Sequence, residues 1–473
     1  MKTSYNSPAK NICSIHYHDI GDCLKREDKL AVLARGRLVD TTWQQINPTR
    51  QHDWINQRSA AYPTLRPLVK ESGQKVSQAP VFIVGTLGLK THRDTWCYNS
   101  SKQNLSANIR KSIDYFNKEA VKFQATSPTG TVSQRMQQAK QYVFDDPQRF
   151  SWDEKCYRDL ANGVSYSFDE TGVRISLYRP YFRQYVYLSP ELNTRIRAFP
   201  ELFPHPRYEN LGIAFTGPGA RSGFSSLMSD RIVETGLSSP TAYLPRYRYD
   251  KEARLDARDA DIERVSNINP AALAEFRQIY GDPAISEDDL FYYTYGILHS
   301  QQWRETFAND LAKSAARIPM AASLDDFRAF VAAGRELADL HVHYETVEPY
   351  PLEEIRASNW HPDAEGAFRV EKMKYAGKRP NLDTSTIIYN SDITLRGIPA
   401  VAHEYKLGTR SALDWLIDRY KVTTHNKSGI VNDPNDWADE VGEPRYILDL
   451  IKRVTTVSVR TVEIVNGLPE LPI

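Results

Sequence analysis

Between Arg174 and Tyr249 the chain carries ten basic residues against five acidic ones, and all ten are arginine. A guanidinium is a planar fork that pairs two donors at once with a phosphate or a guanine edge, which a lysine ammonium cannot do. Aromatic residues are interleaved, as in Tyr178-Arg179-Pro180-Tyr181-Phe182-Arg183 and Leu244-Pro245-Arg246-Tyr247-Arg248-Tyr249. That pattern suits a sugar-phosphate wall; it equally suits a half-buried sheet whose arginines lie over tyrosines.

Other constellations offer less. Gly217-Pro218-Gly219-Ala220-Arg221-Ser222-Gly223 follows an apolar run, but it lacks the spacing and the lysine of a triphosphate-binding loop. It reads as a glycine-rich surface loop or as a tight turn presenting Arg221. Cys13 to His18 has no second ligand pair at zinc-finger spacing. His341-Val342-His343-Tyr344-Glu345 is either a metal shell on a strand or ordinary packing at a helix end. A serine-nucleophile elbow is absent.

The formal charge of +1 excludes a whole-molecule field that would draw the protein onto nucleic acid or an anionic membrane, so affinity must come from local patches. Four scattered cysteines fit a reducing cytoplasm better than a disulfide framework. No run approaches a membrane-spanning length, and no signal sequence leads the chain.

These residues must be held by a multi-domain mixed α/β fold, in which a twisted mixed sheet carries helical insertions. Residues 79–84 read as a buried strand, 104–122 as a helix, and 126–141 as a linker with a domain boundary near 145. Alternating aromatics make 173–249 strand-rich. Residues 250–289, with 11 acidic and 5 basic residues, read as a solvated helical insertion within a helical region reaching about 345. Capping signals at Ser286/Asp289 and Ser323/Asp326 start helices ending near 299 and 340. Further on, a strand at 386–389 and helices at 411–420 and 446–453 are expected.

The last quarter contains Asn390-Ser391-Asp392-Ile393-Thr394-Leu395-Arg396-Gly397, then Tyr405-Lys406-Leu407-Gly408-Thr409-Arg410-Ser411, and Lys427-Ser428-Gly429-Ile430-Val431-Asn432. With Phe291-Tyr292-Tyr293-Thr294-Tyr295-Gly296 and Arg317-Ile318-Pro319, these stretches resemble the C-terminal specificity region of type ISP restriction-modification enzymes. Upstream, His18-Asp19-Ile20-Gly21-Asp22, Asp53-Trp54-Ile55-Asn56-Gln57-Arg58 and Arg93-Asp94-Thr95-Trp96 resemble the tail of an adenine-N6 methyltransferase domain.

The resemblance implies a methyltransferase-like tail over 1–145 and a target-recognition domain over 146–473. It also implies double-stranded DNA as ligand and S-adenosylmethionine as the family's cofactor. The Asn-Pro-Pro-aromatic motif and a glycine-rich cofactor loop, both required for transfer to a flipped adenine, are missing here. The expectation is therefore a DNA-reading component without its own catalysis or bound cofactor, working beside a methyltransferase or helicase chain. The alternatives are one part of a split adenine methyltransferase, or an inactive remnant. Its candidate DNA contacts are Arg179, Arg183, Arg221, Arg246, Arg248, Lys406, Arg410 and Lys427.

Overall fold

The computed structural model describes residues 14–21, 24–49, 52–55, 57–70, 78–220, 222–249 and 262–473. Contacts divide the chain into two units, Met1–Ser59 and Ala60–Ile473. In the first, strands Ile15–Tyr17 and Gln44–Ile46 pair antiparallel, and a helix spans Arg26–Arg35 without burying a residue.

The second unit is built on three four-stranded sheets. Its strands are β1 (Thr86–Leu87), β2 (Tyr98–Asn99), β3 (Val173–Arg179), β4 (Phe182–Tyr187), β5 (Gly212–Thr216), β6 (Ser226–Ser229), β7 (Ile232–Val233) and β8 (Thr241–Pro245), followed by β9 (Glu353–Arg356), β10 (Lys374–Lys378), β11 (Asn381–Ile388) and β12 (Ile393–Arg396). The sheet orders are β7-β3-β4-β2, β1-β8-β5-β6 and β9-β12-β11-β10. Only β7 and β3 pair parallel among these sheets. The mixed α/β class is as expected, but the strands form three small sheets rather than one.

The principal helices are α1 (Lys102–Ala125), α2 (Val132–Tyr142), α3 (Glu154–Ala161), α4 (Pro270–Tyr280), α5 (Glu287–Ile297), α6 (Leu324–Val342), α7 (Ala412–Arg419) and α8 (Tyr446–Asn466). Two buried clusters organise the unit. One joins Phe116, Leu160, Leu177, Val186, Leu395, Leu413 and Ile451; the other joins Phe215, Met228, Phe276, Phe291, Trp303 and Phe330. Phe116 and Leu160, on either side of the expected boundary at 145, belong to the same buried cluster. No helix among the described residues is long and apolar enough to cross a membrane.

Local signals explain most elements. Ser286 accepts from the Asp289 amide and Asp289 answers on the Ser286 amide, starting α5; Ser323 accepts from Asp326 at the start of α6. A second capping box, Thr131 with Gln134, starts α2 inside the expected linker, a correction that follows from the cap despite a face that buries only Ala139. The expected strand at 79–84 is instead extended chain: Val81 and Phe82 donate to Pro67 and Leu68 carbonyls while Ile83 donates to Asn267, so no single neighbour forms a ladder. Of the 250–289 insertion, residues 250–261 lie outside the described residues. The remainder contains α4, which buries Ala272, Leu273 and Phe276 rather than lying wholly in solvent. Helix α8 runs thirteen residues past the expected Arg453, because Val454, Val457 and Val462 are all buried.

Two contacts fix the helical core. A Cβ on Gly334 would come within 2.0 Å of the Tyr292 carbonyl oxygen, and one on Gly296 within 2.4 Å of the Phe330 carbonyl oxygen, so α5 and α6 touch backbone to backbone. Beside them His341 is buried, with Nδ1 2.6 Å from the Tyr295 hydroxyl and Nε2 2.9 Å from Thr461 Oγ1. The Tyr295 oxygen also accepts the Met228 amide. The pair of histidines that could have been a metal shell is split: His341 is packed, and His343 is exposed beside Asp339. No group of metal-holding side chains occurs among the described residues.

Gly334→Ala is expected to cost about 2–3 kcal/mol of stability in denaturant unfolding, since backbone must move to admit a methyl group. Burial, reinforced by the Arg304 charge, pulls His341 down to about 3, and burial lowers His299 as well. Unfolded histidine binds its proton near pH 6.5, so this stability is complete above that pH and is lost as pH falls toward the folded value. The slope reaches ~1.4 kcal/mol per pH unit for each histidine. Unfolding free energy measured between pH 6.5 and about 5, above most carboxylate titration, should therefore fall, and His341→Asn should flatten that fall.

Candidate nucleic-acid interface

Three arginines from the basic stretch are engaged inside the protein. Arg179, at the end of β3, donates to Glu234 at 2.5 Å and lies 4.0 Å over the Tyr178 ring. Arg183, on β4, meets Glu345 at 2.5 Å, while the Tyr446 hydroxyl holds the other oxygen of that carboxylate. Arg246 is buried, with Asp288 at 2.6 Å and Ser266 Oγ at 2.9 Å. Their charges are already matched by carboxylates, which corrects their expected role as open DNA contacts. Arg248 is half-buried and reaches the Ser266 carbonyl. Arg221 lies outside the described residues.

The three later candidates are exposed. Lys406 and Arg410 stand on paired strands β13 (Lys406–Leu407) and β14 (Arg410–Ser411), whose turn includes Gly408 at φ 71°. A residue bearing a side chain rarely adopts that backbone, and a Cβ there would lie 3.4 Å from Ser222, so the glycine-rich loop packs beside this hairpin. Helix α7 follows at once, capped by Ser411 and Asp414. Lys427 stands in the turn between Thr423–Thr424 and Val431–Asn432.

Helix α7 links these features. Asp418 is met by Arg410 at 2.6 Å, Arg419 at 2.9 Å and Lys421 at 3.0 Å. Burial alone would raise Asp418, but Lys421 and Arg410 donating to it, with the Arg419 charge, hold it below its ordinary value. Three cations against one anion leave these four groups at +2. Both Arg410 and Arg419 lie over Trp415, 5.1 and 5.6 Å from its ring centre, and the indole donates to the Leu407 carbonyl. Burial pulls Arg419 down, and the Arg179 and Arg410 charges add to this.

A cleft of about 310 Å³ opens beside this cluster, with Tyr98, Tyr178, Arg419, Lys421, His425 and Asn432 in its wall. Asn432 is fixed there by the Ser100 amide and the Gln184 side chain. Sequence reading missed Arg419, Lys421 and Trp415. The available signal was helical spacing: Trp415 and Arg419 are four apart and share a helix face.

The fold and this band of cations and aromatics, presented by hairpin turns and one short helix on a rigid scaffold, define a binding module of the α/β class. Residues 80–450 match the family model of the Type ISP C-terminal specificity domain, and the chain belongs to that family. None of the curated proteins matches it. Among solved structures it is similar to a nuclease-deletion mutant of the Type ISP restriction-modification enzyme LlaGI in complex with a DNA substrate mimic, at 34% identity and TM-score 0.82 over 98% of this chain. It is also similar to the ATP-dependent Type ISP enzyme LlaBIII bound to DNA, at 32% and 0.81 over 97%, and to DrdV in a DNA complex, at 30% and 0.80 over 97%. The chain spans 40%, 28% and 44% of those three chains, less than half of each.

Arg183→Ala should lower unfolding free energy by about 3 kcal/mol, because the mostly buried Glu345 carboxylate loses its partner, whereas Arg246→Ala should cost only about 1–2 kcal/mol, since the half-exposed Asp288 can turn to water. Lys406→Ala and Lys427→Ala should stay within about 0.5 kcal/mol of the parent in the same denaturation assay.

Proposed function

We propose that this chain is the target-recognition component of a type ISP-like restriction-modification system and that it binds double-stranded DNA sequence-specifically. What carries the reading is that two Type ISP enzymes and DrdV, each solved with DNA or a DNA mimic, share this fold over nearly the whole chain, at 30–34% identity. The band formed by Arg410, Arg419, Lys421 and Lys427 supplies phosphate contacts, and Trp415 gives Arg410 and Arg419 a rigid backing. Arg179, Arg183 and Arg246 hold that surface in shape rather than touching DNA.

The chain covers less than half of each similar enzyme, so cleavage, translocation and methyl transfer fall to other domains or to a partner methyltransferase or helicase chain. In this reading S-adenosylmethionine is held there, and the protein acts in the cytoplasm where the DNA is.

Anisotropy of a labelled duplex library across a salt series tests the reading. Affinity should fall linearly on a log-log plot, and Arg410→Ala combined with Lys427→Ala should reduce the slope by about two. Absence of binding to any duplex at low salt would sink the proposal. Selection from random duplexes should recover one motif, and a fixed adenine in it ties the chain to methylation.

A further inference from the structure

Five buried or mostly buried arginines, Arg66, Arg93, Arg179, Arg183 and Arg246, each hold a carboxylate at 2.5–2.6 Å. Arg304 does not. Its Nε donates to the Leu298 carbonyl at 2.6 Å and one Nη to Ser226 Oγ at 3.2 Å, and no carboxylate reaches it among the described residues. Burial pulls its guanidinium down to about 10, which leaves it charged at neutral pH. Arg304 is partly buried, and a cation withdrawn from water without a counter-ion is costly, so an anion entering the cavity beside it is favoured.

Arg304 stands in the wall of a cavity of about 510 Å³ between the β13–β14 hairpin and α8. Lys406 lines the same cavity and has no ion-pair partner among the described residues. Glu404 supplies one carboxylate in the wall against these two cations, and Asn466 adds an amide. His299 is also there; its ring donates to the Tyr295 carbonyl, and burial together with Arg304 keeps it neutral. Phe224 covers the guanidinium at 5.7 Å. The rim is Gly408, where the glycine-rich loop meets the hairpin. A fork and a movable ammonium, brought from separate elements, match the several oxygens of one tetrahedral phosphate.

We propose that this cavity is a phosphate-binding site in which Arg304 and Lys406 together receive one phosphate group of the bound DNA. The assignment rests on the DNA reading above and gives it a depth the exposed band lacks: one phosphate is drawn inward, fixing the duplex against the hairpin, while the band grips its neighbours.

The test uses the whole chain in two arms. In the first, duplex affinity is followed over a salt series for the parent, Arg304→Met and Lys406→Gln, with circular dichroism confirming the fold. Each variant should bind about tenfold more weakly at low salt and lose about one from the salt slope. Lys406 is exposed, so Lys406→Gln decides the matter even if Arg304→Met fails to fold. Unchanged affinity and slope, with the parent binding duplex, overturn the phosphate site and leave the DNA reading standing. In the second arm, inorganic phosphate is compared with chloride at equal ionic strength in thermal unfolding. A parent that ignores duplex but is stabilised by phosphate, with the shift lost in Lys406→Gln, refutes the DNA reading and makes this a site for free phosphate. No duplex binding and no phosphate shift overturn both.

Discussion

The His341 ring sits where the two buried clusters meet, hydrogen-bonded to Tyr295 on α5 and to Thr461 on α8. It also stacks on Tyr405, with ring centres 5.4 Å apart and planes 6° from parallel. The Tyr405 hydroxyl is 3.0 Å from that of Tyr181, and Tyr420 donates to the Tyr181 carbonyl. Six segments are thus tied by buried polar groups and one ring stack. A buried hydrogen-bond network of this kind tolerates little displacement, because each broken bond leaves an unsatisfied group. The hairpin that carries Lys406 and Arg410 begins at Tyr405, so its position is set by this knot.

The same economy of buried charge sorts the arginines. Where a carboxylate lies within reach, as Glu345 does for Arg183, the guanidinium becomes structural and rigidifies a strand. Where it does not, as at Arg304, the charge is left to face a cavity. Around Asp418 the balance is intermediate: one anion orients three cations without cancelling them. A surface prepared in this way presents fixed cations, and less side-chain freedom is lost when an anion arrives.

Much of the element order was legible. Ser286 with Asp289 and Ser323 with Asp326 announced two core helices because a cap is a local hydrogen bond between residues three apart. Thr131 with Gln134 carried the same signal inside a stretch too polar to suggest a helix. The run after Arg453 is dense in β-branched residues, which favour strands; its burial along one helix, with Thr455 and Ser458 hydroxyls bonded to carbonyls four residues back, overrode that preference. The family resemblance was legible as well, carried by short stretches that are specific together.

By itself, then, the sequence determined what is local or compositional: caps, helix faces, a near-neutral total charge that forces any affinity into patches, and a dense supply of arginine. It could not determine which arginines are available. Arg183 and Glu345 are 162 residues apart, and Arg179 and Glu234 are 55 apart, so their pairing exists only after the chain has folded. Counter-ion proximity falls off over a few ångströms, and only the tertiary structure sets distances on that scale between remote residues. That is why the charge-rich central stretch became scaffold, while the cations left exposed stand on a hairpin and a short helix near the end of the chain.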